Sequence, residues 1–396
     1  MQNFDLGTDN PVIRYFDARE FGRGDHMIFN GCFFEPPSLR SRDHDNDHDN
    51  DKNNDQENNN ENKNEEKRTM MCVYRTTPSI QAWFESNIRI IKLRKEGDAL
   101  IPLPETDRSL VAHGEDPRVT PLTHRHLLVT YTDVTDETNT RALIKGQIFL
   151  ADYARQEYTS VKTLTFDLNC SRQNKQKNWN FVVDPYTQHV LLIYRLMPFE
   201  IYDLGHVNHV LFARSDFYEK DIGAMECLLR THLIQRQAWK HPLSDILLLR
   251  GGSNPVYIKE SEFYMFVHSA SYKIFCIVMR KTPDNDALSS SPSSSSPLNA
   301  QSKHSLSRQS EHLLSKQSRQ SKQSGQWRIT KVGDRPIIYH DTNIDKKEVH
   351  FPGGTVYDRA SQTFHVCLGL HDKQLGYIHL DKHWVDAHLV DVENIL

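Results

Sequence analysis

The residues best suited to chemistry lie together in Gly114-Glu115-Asp116-Pro117-Arg118-Val119-Thr120. Two adjacent carboxylates, a rigid proline and a guanidinium follow one another there. At the mouth of a pocket, Asp116 could give a proton to a leaving group while Arg118 supplies a fixed positive charge. A few residues on, Leu127-Leu128-Val129-Thr130-Tyr131-Thr132-Asp133 reads as a strand. Taken alone, Asp-Pro is ordinary turn chemistry, so its meaning depends on the elements around it.

Those elements are short β-like runs separated by turns. Met71-Cys72-Val73-Tyr74-Arg75 and His189 to Arg195 are examples, with Phe263 to His268 and Phe364 to Leu368 further on. Tyr218 to Leu233 is the one plausible helix, and His209 to Ala213 reads as a strand. The strands fall into groups roughly 50 to 80 residues apart, each opened by a Pro- or Gly-containing phrase. The phrases are Phe34-Glu35-Pro36-Pro37-Ser38-Leu39, Glu115-Asp116-Pro117-Arg118, Lys177-Asn178-Trp179-Asn180-Phe181, Arg250-Gly251-Gly252-Ser253-Asn254-Pro255 and His350-Phe351-Pro352-Gly353-Gly354. The strands that answer them end in Tyr74-Arg75, Tyr131-Thr132, Tyr194-Arg195, Val267-His268 and Leu370-His371-Asp372. Five phrases with five matching strands predict an all-β, five-bladed β-propeller whose phrases face the central channel. The expected organisation is one propeller domain over residues 1–396, with Pro37 to Leu39 as the first strand of blade one.

Two tracts stand outside this pattern. Residues 41–68 are rich in Asp and Asn, and residues 284–326 in Ser, Gln, Lys and Arg. Neither holds enough apolar surface to offset the entropy of ordering, so both are expected to be disordered loop insertions, in blades one and four. Such insertions cost entropy only logarithmically with length, which a propeller can tolerate.

Composition narrows the function classes. The 396 residues carry a net charge of −4, too weak to point to nucleic acid, and the basic residues of the second tract read as a solvated loop. Six cysteines (Cys32, Cys72, Cys170, Cys227, Cys276, Cys367) are widely spaced without a CxxC pair, as expected of free thiols in a reducing compartment. The start Met1-Gln2-Asn3-Phe4-Asp5 has no signal-peptide pattern, and apolar runs such as Val190 to Tyr194 are too short to span a membrane. A cytoplasmic protein without membrane or nucleic-acid partners is the expectation. Asp43 to Asp49 lacks the glycine and terminal glutamate of a calcium loop, and no GxSxG phrase marks a serine hydrolase. No cofactor or metal is expected.

The order GEDPRV–LLVTYTD, KNWNF–LLIYRLMP, RGGSNPV–FYMFVHS and VHFPGGTVY–CLGLHD resembles the five-bladed propeller enzymes that act on β-mannosides. These include inverting phosphorylases and hydrolases and related β-1,2-mannosyltransferases of protozoa. A wider set of uncharacterised viral and microbial propellers, labelled glycosidases or glycosyltransferases, shares the KNW and RGG phrases. The resemblance runs over roughly residues 29 to 380 outside the tracts. It implies Asp116 as general acid and Arg75 as an anion-binding residue, with Arg195 and His268 lining a phosphate or sugar site. Arg118, Asn178, Trp179, Arg250 and Asp372 fall in or beside the matching phrases and join the candidate substrate- or phosphate-binding set. Trp179 could stack on a sugar ring, and Arg250-Gly251-Gly252 could shape the backbone.

The sequence departs from the family in three places. Glu35 stands where Asn-Pro is usual, FPGG replaces FPCG, and only Lys175, Lys177 and Arg195 represent the phosphorylases' basic run in blade three. Inverting hydrolysis needs a second carboxylate, for which Glu35, Glu260 and Asp372 are candidates. The expected function is cleavage or transfer of a glycosyl unit, β-mannosyl in type, by single displacement with Asp116 as acid. Its partners would be a glycan or glycosyl donor, with inorganic phosphate or a nucleotide sugar as the other reactant. The alternative is a non-catalytic glycan-binding or scaffold propeller.

Overall fold

The computed structural model describes residues 11–36, 69–79, 81–82, 85–133, 143–167, 179–212, 226–230, 232–239, 248–259, 262–282, 326–337, 350–371 and 373–392. Their strands form five separate sheets, arranged as a five-bladed β-propeller.

The first strand, β1 (Arg14–Tyr15), joins a sheet completed only near the other end of the chain. Blade I is β2 (Met27–Phe34), β3 (Thr69–Thr77), β4 (Asn87–Glu96) and β5 (Ala99–Ala112). Blade II is β6 (Gly114–Pro121), β7 (His126–Asp133), β8 (Leu143–Asp152) and β9 (Glu157–Asp167). Blade III is β10 (Asn180–Val183), β11 (His189–Leu196) and β12 (Phe199–His206), followed by helix α1 (Val207–Phe212). The chain then returns to the edge of blade II, where β13 (Glu226–Arg230) pairs parallel to β9, and crosses back as β14 (His232–Gln237) on β12.

Blade IV holds β15 (Leu249–Arg250), β16 (Val256–Lys259), β17 (Glu262–Ser269), β18 (Ile274–Thr282) and β19 (Gln326–Gly333). Blade V holds β20 (His350–Asp358), β21 (Thr363–Leu370) and β22 (Gln374–Asp381), and β1 adds its outer strand. A short helix, α2 (Lys382–Asp386), leads to β23 (Leu389–Asp391) on the outer edge of blade IV. Edge strands of three blades are thus covered by segments from distant parts of the chain, which limits exposed edges.

The core explains the sequence pattern. Apolar residues form five clusters, one between each pair of neighbouring blades. In β7, Leu127, Val129 and Tyr131 face blade I while Leu128 faces blade III. In β11, Leu191 and Ile193 face blade IV while Val190 and Leu192 face blade II. A strand buried on both faces needs apolar residues at successive positions, so it reads as a continuous run instead of an alternation.

Three expectations are corrected. The innermost strand of blade I is β2, which ends before Glu35, so Phe34 to Leu39 is not its opening phrase. The corresponding position is Asn30-Gly31, inside the apolar run. The C-terminal part of the expected helix Tyr218 to Leu233 is β13 and the start of β14, because sheet edges there recruit it against local preference. The expected strand from His209 is instead α1 up to Phe212, whose Val207, Val210 and Leu211 turn inward at helical spacing, and Ala213 lies outside the described residues. Residues 41–68, and the second tract up to its last residue, Gln326, lie outside the described residues; Gln326 begins β19.

Candidate functional site

Inner strands run antiparallel to the second strands of their blades, so the start of each inner strand meets the end of its partner. Phe29 lies opposite Arg75, Glu115 opposite Thr132, Arg250 opposite His268 and His350 opposite Leu370. The chemistry-bearing residues of blades I, II, IV and V therefore occupy one end of the barrel of strands.

Bulges aim them. The ladder slips between Phe29 and Cys32 in β2, between Glu115 and Arg118 in β6, and between Pro352 and Gly354 in β20. Asn30 and Asp116 sit in the first two bulges with φ of 47° and 49°. Both are residue types that accept the left-handed region, and a bulge in an inner strand redirects a side chain out of the ladder. The redirected groups meet: Asn30 Nδ2 donates to Asp116 Oδ1 at 2.6 Å.

Close backbone packing makes this possible. A Cβ on Gly353 would fall 1.7 Å from the carbonyl oxygen of Gly31, and one on Gly252 would fall 2.1 Å from that of Phe266. The RGG phrase thus serves close approach. Gly252 also receives the cation of blade II, since Arg118 Nε donates to its carbonyl at 3.0 Å. Asn180 reaches the same loop from blade III: in the orientation that satisfies its amide, the nitrogen donates to Gly252 O at 2.9 Å.

Arg118 is 3% exposed, and burial lowers its pKa from the usual guanidinium value. Nη1 donates to Pro117 O at 2.9 Å and the guanidinium lies 4.8 Å from the centre of the Phe351 ring. Its Nη2 is buried without a partner among the described residues. His268, 1% exposed, packs beside the same Phe351 ring at 4.8 Å and stacks on Tyr272 at 5.7 Å. Burial, reinforced by Arg118 and Arg250, pushes its pKa down to about 4, so it is neutral at pH 7. Its Nδ1 also lacks a partner among the described residues, as does Oδ1 of Asn30, itself 5% exposed.

Arg75 is buried and already engaged. Nη2 contacts Glu115 Oε1 at 2.5 Å, Nε donates to Ser86 Oγ at 2.8 Å, and the guanidinium lies over Phe29 at 4.5 Å.

The structure therefore brings Asp116, Arg118, Arg250 and His268 into one electrostatic neighbourhood, with Arg75 joined to it through Glu115. Arg195 is exposed at the end of β11, over the Tyr194 ring at 5.2 Å. Trp179 is 3% exposed and belongs to the core between blades II and III, edge-on to Phe166 and Tyr194. That enclosure suits packing better than stacking on a sugar. Asn178 and Asp372, with Glu260 among the carboxylate candidates, lie outside the described residues. Sequence reasoning missed Asn30, the pairing of Glu115 with Arg75, and Phe351. Asn30-Gly31, a turn-forming pair inside an apolar run, was the available signal for the first.

Five sheets packed in a ring, with convergent polar groups at one end of their inner strands, define a five-bladed β-propeller carrying a candidate binding site. Among solved structures the chain is similar to a hypothetical protein from Leishmania major, at 10% identity and a TM-score of 0.44 over 90% of this chain and 86% of that one. It is also similar to a mannose phosphorylase from Leishmania mexicana in complex with phosphate ion, at 11% and 0.42 over 93% and 88%. A third is the β-1,2-mannobiose phosphorylase from Listeria innocua in complex with β-1,2-mannobiose, at 10% and 0.48 over 96% and 99%. No family model and no curated protein matches the chain.

Proposed function

We propose that the chain is a carbohydrate-active enzyme that cleaves or transfers a glycosyl unit, β-mannosyl in type, by single displacement with Asp116 as general acid. The observation that carries this reading is the group of buried, unpartnered polar atoms around Asp116. Asn30 Oδ1, Arg118 Nη2 and His268 Nδ1 are withdrawn from water with no partner among the described residues. Leaving such atoms unsatisfied costs about 1–3 kcal/mol each, and a cluster of buried polar groups held at that cost marks a place kept for something other than stability. The β-mannosyl assignment draws on the order of the GEDPRV, KNWNF, RGGSNPV and VHFPGG phrases.

In this mechanism the proton of Asp116 passes to the departing oxygen as its bond to the anomeric carbon breaks. The attacking group bonds to that carbon from the opposite face. Asn30, donating to Oδ1, holds the carboxyl group in place, and Oδ2 would be the oxygen that carries the proton. Incubation with a panel of oligomannosides, with and without inorganic phosphate and with GDP-mannose, tests the proposal. Product should form in at least one combination, and absence of product throughout would favour non-catalytic glycan binding.

A further inference from the structure

We infer that Arg75 is a positioning residue, which ties together the two bulges whose side chains, Asn30 and Asp116, meet between blades I and II. The inference rests on the proposed role of Asp116 as acid. It replaces the anion-binding role that the family resemblance implies for Arg75.

Two of the residues that Arg75 touches stand immediately before the two bulged positions. Its guanidinium lies 4.5 Å from the centre of the Phe29 ring, and Phe29 precedes Asn30. Its Nη2 meets Glu115 Oε1 at 2.5 Å, and Glu115 precedes Asp116. A third contact, from Nε to Ser86 Oγ at 2.8 Å, anchors the head of the side chain within blade I. A planar guanidinium can stack on a ring and donate from two edges at once, which an ammonium cannot. Arg75, Phe29 and Ser86 are buried, so water and salt weaken these contacts little.

Packing explains why the pair forms. Gly114 lets β6 press against blade I, since a Cβ there would fall 2.5 Å from Ile88 Cδ1. Ile88 is the register partner of Arg75, so the backbone delivers Glu115 to the guanidinium one residue ahead of the bulge. Beyond the bulge, Arg118 is anchored on Gly252 O at 3.0 Å and donates to Pro117 O at 2.9 Å. Asp116, with φ of 49°, is therefore held from both sides. Asn30 has its own support, because its Oδ1 lies against blade V, where a Cβ on Gly369 would fall 2.0 Å from it. The 2.6 Å bond between Asn30 and Asp116 then depends on where β6 places Asp116. Loss of Arg75 would strip the largely buried Glu115 carboxylate of this cation and draw the bulge toward water.

An arginine that binds a ligand anion and one that positions an acid differ in what their loss changes. Loss of the first raises KM for the anion, whereas loss of the second lowers kcat with KM little altered.

Exchange of the Asn30 side-chain amide with water, followed by NMR on the full chain carrying isotope-labelled asparagine, tests the inference. The Asn30 signal is the one missing from Asn30→Gly. In Arg75→Met that amide should exchange at least ~tenfold faster than in the wild type. Turnover of the responsive oligomannoside should show kcat lowered roughly ten- to a hundredfold and KM within about twofold. Adding Asn30→Gly to Arg75→Met should lower kcat no further, because the contact is already lost. Glu115→Gln, which keeps the shape and drops the charge, should act in the same direction and serves if Arg75→Met does not fold. Wild-type exchange in a folded variant would overturn the inference, as would a raised KM at unchanged kcat or multiplied effects in the double variant. If no oligomannoside is turned over, the proposed function fails, while the amide exchange still decides the role of Arg75.

Discussion

Asn30 and Asp116 are 86 positions apart in the chain, yet the amide of one lies 2.6 Å from the carboxylate of the other. Each occupies a bulge of an inner strand, in neighbouring blades, with left-handed φ. Two blades thus jointly orient one carboxyl group.

Removal of that contact should separate positioning from folding. Asn30→Gly accepts φ of 47° without strain but deletes the amide. Asp116 is protonated when it acts, so this is a hydrogen bond to a neutral carboxyl group, worth about 0.5–1.5 kcal/mol, and kcat/KM should fall by roughly two- to tenfold. Steady-state kinetics beside a denaturant melt would show this as lost activity in a protein that still unfolds cooperatively. Unchanged kcat/KM would mean that Asp116 does not depend on Asn30.

Gly353→Ala tests the close approach of blades I and V. The added methyl would fall 1.7 Å from the Gly31 carbonyl oxygen, a backbone atom with little freedom to retreat. Overpacking of this kind costs about 1–3 kcal/mol or more, read as a lower urea midpoint. An unaltered midpoint would show that the inner strands are looser than described.

A histidine pair between blade V and the β4–β5 turn predicts acid sensitivity. His379 Nε2 lies 2.8 Å from the carbonyl of Asp98, which makes that nitrogen the donor and leaves Nδ1 as an acceptor facing His365 Nδ1 at 2.5 Å. Protonating His379 puts a proton on its Nδ1 and breaks this chain, and protonating His365 puts a charge at its buried Nε2, which has no partner among the described residues. Burial lowers both pKa values, that of His365 to about 3, with the neighbouring His379 and Lys95 contributing. The folded values lie below the unfolded value of about 6.5, so the unfolded chain binds more protons across this interval. Their stabilisation is complete above about pH 6.5 and lost as pH falls toward 3. Denaturant midpoints measured across this range should decline, and the decline should be shallower in His365→Leu. Parallel curves would contradict the assignment.

The fold was legible because strands buried on both faces leave continuous apolar runs, as in Val190 to Ile193 between blades II and IV. The later phrases were legible because bulges and close approaches demand Asp-Pro or Gly-Gly at fixed places. Blade I escaped because Asn30-Gly31 is hidden within an apolar strand, while the Pro-Pro beside Glu35 imitates a turn phrase. Local preference also misassigned α1 and β13, where inward packing and an open sheet edge decided the outcome. Asp116, Arg118 and His268 could be picked out by type and position. The Arg75–Glu115 pairing could not, since the sequence does not show which side chains of neighbouring blades meet.

The proton donor is the centre of the account, and Asp116→Asn tests it most directly. The amide keeps the shape and the left-handed preference of the position but has no acidic proton. Product formation from the responsive oligomannoside should fall by about 10²–10⁴-fold, with the denaturant midpoint nearly unchanged and sugar binding retained. Wild-type turnover in that variant would contradict the account.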